Sequence, residues 1–117
     1  MKSSILPSKS FDKNYLLRLL NGNTEMMGAV LTQINQNIPS CMAEIEFGIQ
    51  QSDYIRIVTY ASRAKSAFSM LREKQTTQAF QHIILAATNK DFFTVKDLFV
   101  GLQNEIEDKF NKTNVAA

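Results

Sequence analysis

Hydroxyls and cations gather in one stretch of this chain, DYIRIVTYASRAKSAFSMLR, residues 53–72. On a helix, residues three and four apart are neighbours, so Ser62 shares a side with Thr59, Lys65, Ser66 and Ser69, and with Ile55 further back. This side points away from Ala61, Ala64 and Phe68 and is expected to be exposed. Arg56, Arg63 and Lys65 are expected near Ser62 and add positive charge. Such a group can donate hydrogen bonds to a carboxylate or a phosphoryl oxygen. It is poorly equipped for nucleophilic work, because a serine hydroxyl attacks only when a neighbouring base takes its proton. Around Ser62, positions 58, 59, 65, 66 and 69 are Val, Thr, Lys, Ser and Ser, and none can serve. The expected role is therefore binding, not catalysis, and the chain is not read as an enzyme. The plainer alternative is a solvated basic helix face, with Arg56, Arg63, Lys65, Arg72 and Lys74 set against Asp53 and Glu73.

The remaining candidates for chemistry are sparse. His82, the only histidine, follows the apolar Phe80 and precedes Ile83 and Ile84, which reads as a boundary residue on a helix flank. Cys41, the only cysteine, rules out an internal disulfide, fits a reducing compartment and reads as a small buried hydrophobe. One His and one Cys this far apart make no metal-ligand set. Glu44 with Glu46, and Glu105 with Glu107 and Asp108, read as solubility charges, and there is no phosphate-cradling glycine loop. No metal and no cofactor are expected.

Helices must position these groups. With 117 residues, 44% hydrophobic and 21% charged, the chain has the balance of one globular domain with its own core. A net charge of +2 argues against a dedicated nucleic-acid binder. The start, MKSSILPSKS, lacks the apolar run of a signal peptide, and the run Ile83–Ala87 is too short to span a bilayer. The expected location is the cytoplasm, with no membrane partner.

Residues 1–10 read as a flexible tail, and Asp12 as the cap of a short helix through Leu20. After Asn21-Gly22-Asn23, a long helix is expected from about Thr24 to Gly48, with Met27, Val30, Leu31, Ile34, Ile38, Met42, Ile45 and Ile49 as its apolar stripe. Pro39 predicts a kink or short break near Asn37. Ser52 or Asp53 caps a third helix to about Arg72, whose stripe is Tyr54, Ile57, Val58, Ala61, Ala64, Phe68 and Leu71. A loop at 73–76 leads to a fourth helix, Thr77 to Thr88, and a last one runs from Phe92 to about Asn111 with Phe110 inward. Residues 113–117 fray, which leaves a single domain across 11–112. No stretch shows the alternation of a half-buried strand. The fold class is all-α, an antiparallel up-down four-helix bundle with a short extra N-terminal helix.

The order of these elements resembles the histidine-phosphotransfer (HPt) family over about residues 11–110. In that family a short helix and a Gly-Gly-Asp/Asn-like turn lead into a long helix with a central proline, as Asn21-Gly22-Asn23 and Pro39 do here. An Asp-Trp/Tyr pair then opens the helix carrying Ala-His-x-Leu-Lys-Gly-Ser/Ala, and the similar residues are Asp53-Tyr54 and Ala61-Ser62-Arg63-Ala64-Lys65-Ser66-Ala67. Leu85 to Asp91 resembles the stretch that ends the family's fourth helix. Lys65 keeps the lysine that supports the phosphoryl charge. Ser62 replaces the phospho-accepting histidine, Ala64 the leucine and Ser66 the glycine. Imidazole, with a pKa of about 6.5, is partly unprotonated at neutral pH, and a serine hydroxyl is not. The resemblance implies an HPt-like protein of phosphorelay signalling without phosphotransfer. It would bind a response-regulator receiver domain or a hybrid histidine kinase through Ser62, Lys65, Arg63, Ser66, Thr59, Ser69 and Arg56. The default oligomeric state is the monomer. The alternative is a helical interaction module unrelated to phosphorelay.

Overall fold

Four tight connections organise the chain, and each uses a residue in the left-handed backbone region: Asn21 (φ 55°), Ser52 (φ 51°), Arg72 (φ 59°) and Lys90 (φ 58°), with Gly22 (φ 77°) continuing the first. At each one a backbone N–H reaches back to close the preceding helix end. Asp53 N donates to Gly48 O at 2.8 Å, Glu73 N to Phe68 O at 3.0 Å, and Asp91 N to Ala86 O at 2.9 Å. These bonds satisfy carbonyls that a helix terminus leaves open. The next residue then starts a new helix. Asn23 Oδ1 accepts from Met26 N at 2.9 Å, Asp53 Oδ1 from Arg56 N at 3.1 Å, and Asp91 Oδ1 from Thr94 N at 3.2 Å. The same Asp91 carboxylate takes the Thr94 hydroxyl, and these bonds hold its pKa below the usual value.

The structure is a computed structural model that describes the backbone of residues 13–116 and the side chains of 14–107. The tail at 1–10 and the Asp12 cap lie outside the described residues, and Phe110 outside the described side chains. The helices are α1 (Lys13–Leu19), α2 (Thr24–Gln50), α3 (Tyr54–Met70), α4 (Lys74–Thr88) and α5 (Phe92–Ala116). There is no strand among the described residues, so the fold is all-α. Also among them, no helix is long and apolar enough to cross a membrane. Consecutive long helices pack on each other, α2 on α3, α3 on α4 and α4 on α5. α5 also touches α2, and α1 lies against α2.

Three boundaries differ from the sequence expectation. α2 runs as one helix through Pro39, where a kink or a short break near Asn37 was expected, so the short break does not occur. Its apolar stripe explains this: Ile34, Ile38, Cys41, Met42 and Ile45 are buried on both sides of the proline, so packing outweighs the one lost backbone bond. α4 begins at Lys74, not Thr77, because the left-handed Arg72 closes α3 early and the buried Glu73 occupies the cap position. α5 continues past Asn111 to Ala116, with no Gly or Pro in that segment to stop it.

The core under the candidate face is apolar and contains an aromatic pair. Ile57, Ala61, Ala64 and Phe68 of α3 are fully buried. Phe68 stacks on Phe80 of α4, with ring centroids 5.7 Å apart. Leu16 of α1, Ile45 of α2 and Val95 of α5 are likewise sealed from solvent.

Candidate functional site

The outward side of α3 is a ridge with a hollow on either flank. The periodicity that buries Ile57, Ala61, Ala64 and Phe68 turns Ile55, Thr59, Ser66 and Met70 to solvent. Ser62 and Lys65 lie to one side of the ridge, and Arg56 and Arg63 to the other. Ser66 stands on the divide and lines both hollows.

The first hollow, about 490 Å³ and wide open, lies between α3 and α1. Ser62, Lys65, Ser66, Ser69 and Met70 form one wall, and Tyr15 and Leu19 of α1 form the other. Ser62 and Lys65 were expected on an exposed face but are only half-exposed. The reason is tertiary: α1 returns beside this flank, and α4 supplies a partner to Lys65. The Lys65 ammonium donates to the side-chain oxygen of Gln81, a neutral acceptor, so its charge is held in place without being cancelled. The Arg72 guanidinium sits 4.6 Å from the Tyr15 ring centroid and ties α1 to the end of α3. None of the residues lining this hollow is a carboxylate or an imidazole.

The second hollow is a groove of about 440 Å³ between α2 and α3. Its floor is apolar, made by Ile34, Ile38, Cys41 and Ala67, and its rim carries Asn37, Ser40 and Ser66. Arg63 also lines it, its guanidinium carbon 4.8 Å from the Tyr60 ring centroid. Burial pushes the Cys41 thiol pKa up, and the nearby Arg63 charge pulls it down less strongly. The thiol is therefore a neutral, weakly nucleophilic part of the floor.

Two expected members stand apart from both hollows. Arg56 was expected near Ser62. It instead pairs with Glu44 of α2, lies 3.8 Å from Asp53, and covers the Phe47 ring at 4.9 Å from the centroid. A side chain so engaged with α2 has its charge compensated and turned from Ser62. Thr59 is exposed and lines neither hollow. The seven expected binding residues thus divide into the Ser62, Lys65 and Ser69 group, the Arg63 group, the shared Ser66, and the two outliers. His82 is exposed on α4, 3.5 Å from Gln78 Nε2, and lines neither hollow. Among the described residues no cluster of His, Cys, Asp or Glu could hold a metal.

Sequence reasoning missed Tyr15, Leu19, Tyr60 and Gln81. Tyr15 and Leu19 carried a usable signal, being four apart on a short amphipathic helix. Gln81 carried none, since an exposed-looking glutamine has no pattern of its own. No family model matches the chain, and no curated protein or solved structure does either.

Proposed function

We propose that the chain is an HPt-type protein: α2–α5 form an antiparallel four-helix bundle, α1 is the extra N-terminal helix, and α3 docks a receiver domain without accepting its phosphoryl group. The observation that carries this reading is the setting of Ser62. The HPt resemblance puts it at the phospho-acceptor position, and it lines an open hollow together with Lys65, whose ammonium is held by Gln81. With no carboxylate or imidazole lining that hollow among the described residues, nothing there activates the hydroxyl. A receiver's phosphorylation pocket is a cluster of carboxylates, and a cationic, hydroxyl-rich face complements it. The protein then acts by occupancy, as a competitor or scaffold in a cytoplasmic phosphorelay or on a hybrid histidine kinase.

A second reading, a helical interaction module with no phosphorelay link, draws on the apolar rim of the same face. Ile55 is 63% exposed, Leu19 52% and Met70 42%, and such a rim suits protein partners in general. Calorimetric titration against a panel of receiver domains separates the two. Binding that Lys65→Glu abolishes supports the phosphorelay reading, and no heat with any receiver, phosphorylated or not, rejects it. The same assay checks transfer: radiolabelled phosphoryl appearing on this chain, and lost in Ser62→Ala, would overturn the inactive assignment.

A further inference from the structure

The α2–α3 groove has features that the Ser62 hollow lacks. Its volume of about 440 Å³ lies within the roughly 300–1,000 Å³ of small-molecule sites. Ile34, Ile38 and Cys41 line the groove and belong to the core, at 6%, 1% and 6% exposure, so the bottom of the groove is apolar and fixed by core packing. Because burial keeps the Cys41 thiol neutral, the floor carries no charge.

Arg63 gives the groove its polarity. Its guanidinium carbon lies 4.8 Å from the Tyr60 ring centroid, and a guanidinium carries the planar N–H fork that a carboxylate fits bidentately. No acidic residue lines the groove, and neither ion pair among the described residues involves Arg63. A held guanidinium beside an uncharged floor selects a monoanion with a hydrocarbon body. A phosphate ester would want a second cation, and the nearby Lys65 faces the other hollow. A nucleotide base would want an open aromatic face, and Arg63 already covers that of Tyr60.

We infer that this groove binds a small amphipathic carboxylate, its head on Arg63 and its chain along Ile34, Ile38, Cys41 and Ala67. Asn37, Ser40 and Ser66 line the rim, and Asn37 already shares a 3.4 Å bond with Gln33. The inference stands without the receiver reading, because Ser62 and Lys65 lie in the other hollow.

Methyl NMR titration of the full chain with octanoate tests it, with 1-octanol and octylammonium as probes of equal chain length. Saturable shifts of the Ile34, Ile38 and Ala67 methyls are expected. Arg63→Gln, at an exposed position, should weaken octanoate by about tenfold or more while leaving the circular dichroism spectrum unchanged. Lys65→Gln should leave the affinity as it was. The inference is overturned by shifts that do not saturate, or by shifts confined to Leu19 and Met70. It is equally overturned by 1-octanol or octylammonium binding as tightly as octanoate, or by an Arg63→Gln protein that binds octanoate undiminished.

Discussion

The two hollows beside Ser66 share one wall, α3, and differ in the other. The groove is closed by α2, a helix of 27 residues with seven buried positions. The Ser62 hollow is closed by α1, which has seven residues. A helix that short is not stable on its own in water and forms only through what it packs against. For α1 that means chiefly the fully buried Leu16 and the Tyr15–Arg72 contact. The groove is therefore part of the core structure, whereas the Ser62 hollow has one rigid wall and one conditional wall. Shape in the groove can select a ligand. In the Ser62 hollow, charge and hydroxyls have to do so, and the wall can adjust to a partner.

The largest disturbance should come from beneath both hollows. Phe68 is fully buried and stacked on Phe80, so Phe68→Ala is expected to cost about 3–5 kcal/mol and to loosen both hollows together. Urea denaturation measures it. A cost under about 1 kcal/mol would mean that α3 does not rest on this stack, and the shared wall would lose its physical basis.

Leu16→Ala should separate the hollows. The lost burial is worth about 2–5 kcal/mol, but α1 can undock without unfolding the rest, so global stability should fall by less than that range. Amide exchange should speed up across 13–20 while the groove segment 34–41 keeps its protection. Equal loss of protection in both segments would break the comparison, because α1 would then be as integral as α2.

How much of this was legible in the sequence follows from the range of each interaction. The stripe Ile34, Ile38, Met42 and Ile45 was readable because burial on a helix repeats locally, and the Asp53 cap because its bond spans three residues. The flank of Ser62 was not, because its half-burial comes from a helix some forty residues earlier in the chain and a glutamine on α4. Arg56 was misplaced for the same reason: Glu44, twelve positions away, decides where it points. The start of α4 was missed because Arg72, not glycine, takes the left-handed position, and only glycine or asparagine there would have signalled a helix end. The groove beside Cys41 needs two helices to exist, so no window along one of them contains it.

A smaller change tests the α2 wall from its far end. A Cβ at Gly48 would stand 2.9 Å from Ile57 Cγ1, 3.3 Å from the Asp53 carbonyl oxygen and 3.4 Å from Ile57 N. Two of those atoms are backbone and cannot swing aside. Overpacking of this kind costs about 1–3 kcal/mol, and the better helix propensity of alanine returns about 1 kcal/mol. Gly48→Ala should therefore destabilise by about 0–2 kcal/mol and shift the methyls of the groove more than those of Leu19 and Met70. Net stabilisation in urea would show that α2 and α3 separate easily there, and that the groove wall is softer than its burial suggests.

The smallest effect is a pH dependence that belongs to the groove alone. Burial raises the Cys41 thiol pKa above its ordinary value of 9.0, against the weaker opposing pull of Arg63. Below about pH 8.5 the folded and unfolded chains both keep this proton. Above that the unfolded chain releases it first, so it binds fewer protons than the folded chain and stability falls as pH rises. The slope from one such group is at most about 1.4 kcal/mol per pH unit. Other groups titrate in the same range, so the informative quantity is the difference between the wild type and Cys41→Ser, measured by urea denaturation from pH 7.5 to 9.5. The variant should lose part of the alkaline decline even if its overall stability is lower. Arg63→Gln should steepen the decline, because it removes the charge that favours the thiolate. If Arg63→Gln leaves the difference unchanged, the guanidinium is not acting at the floor of the groove, and the two hollows would be electrostatically alike.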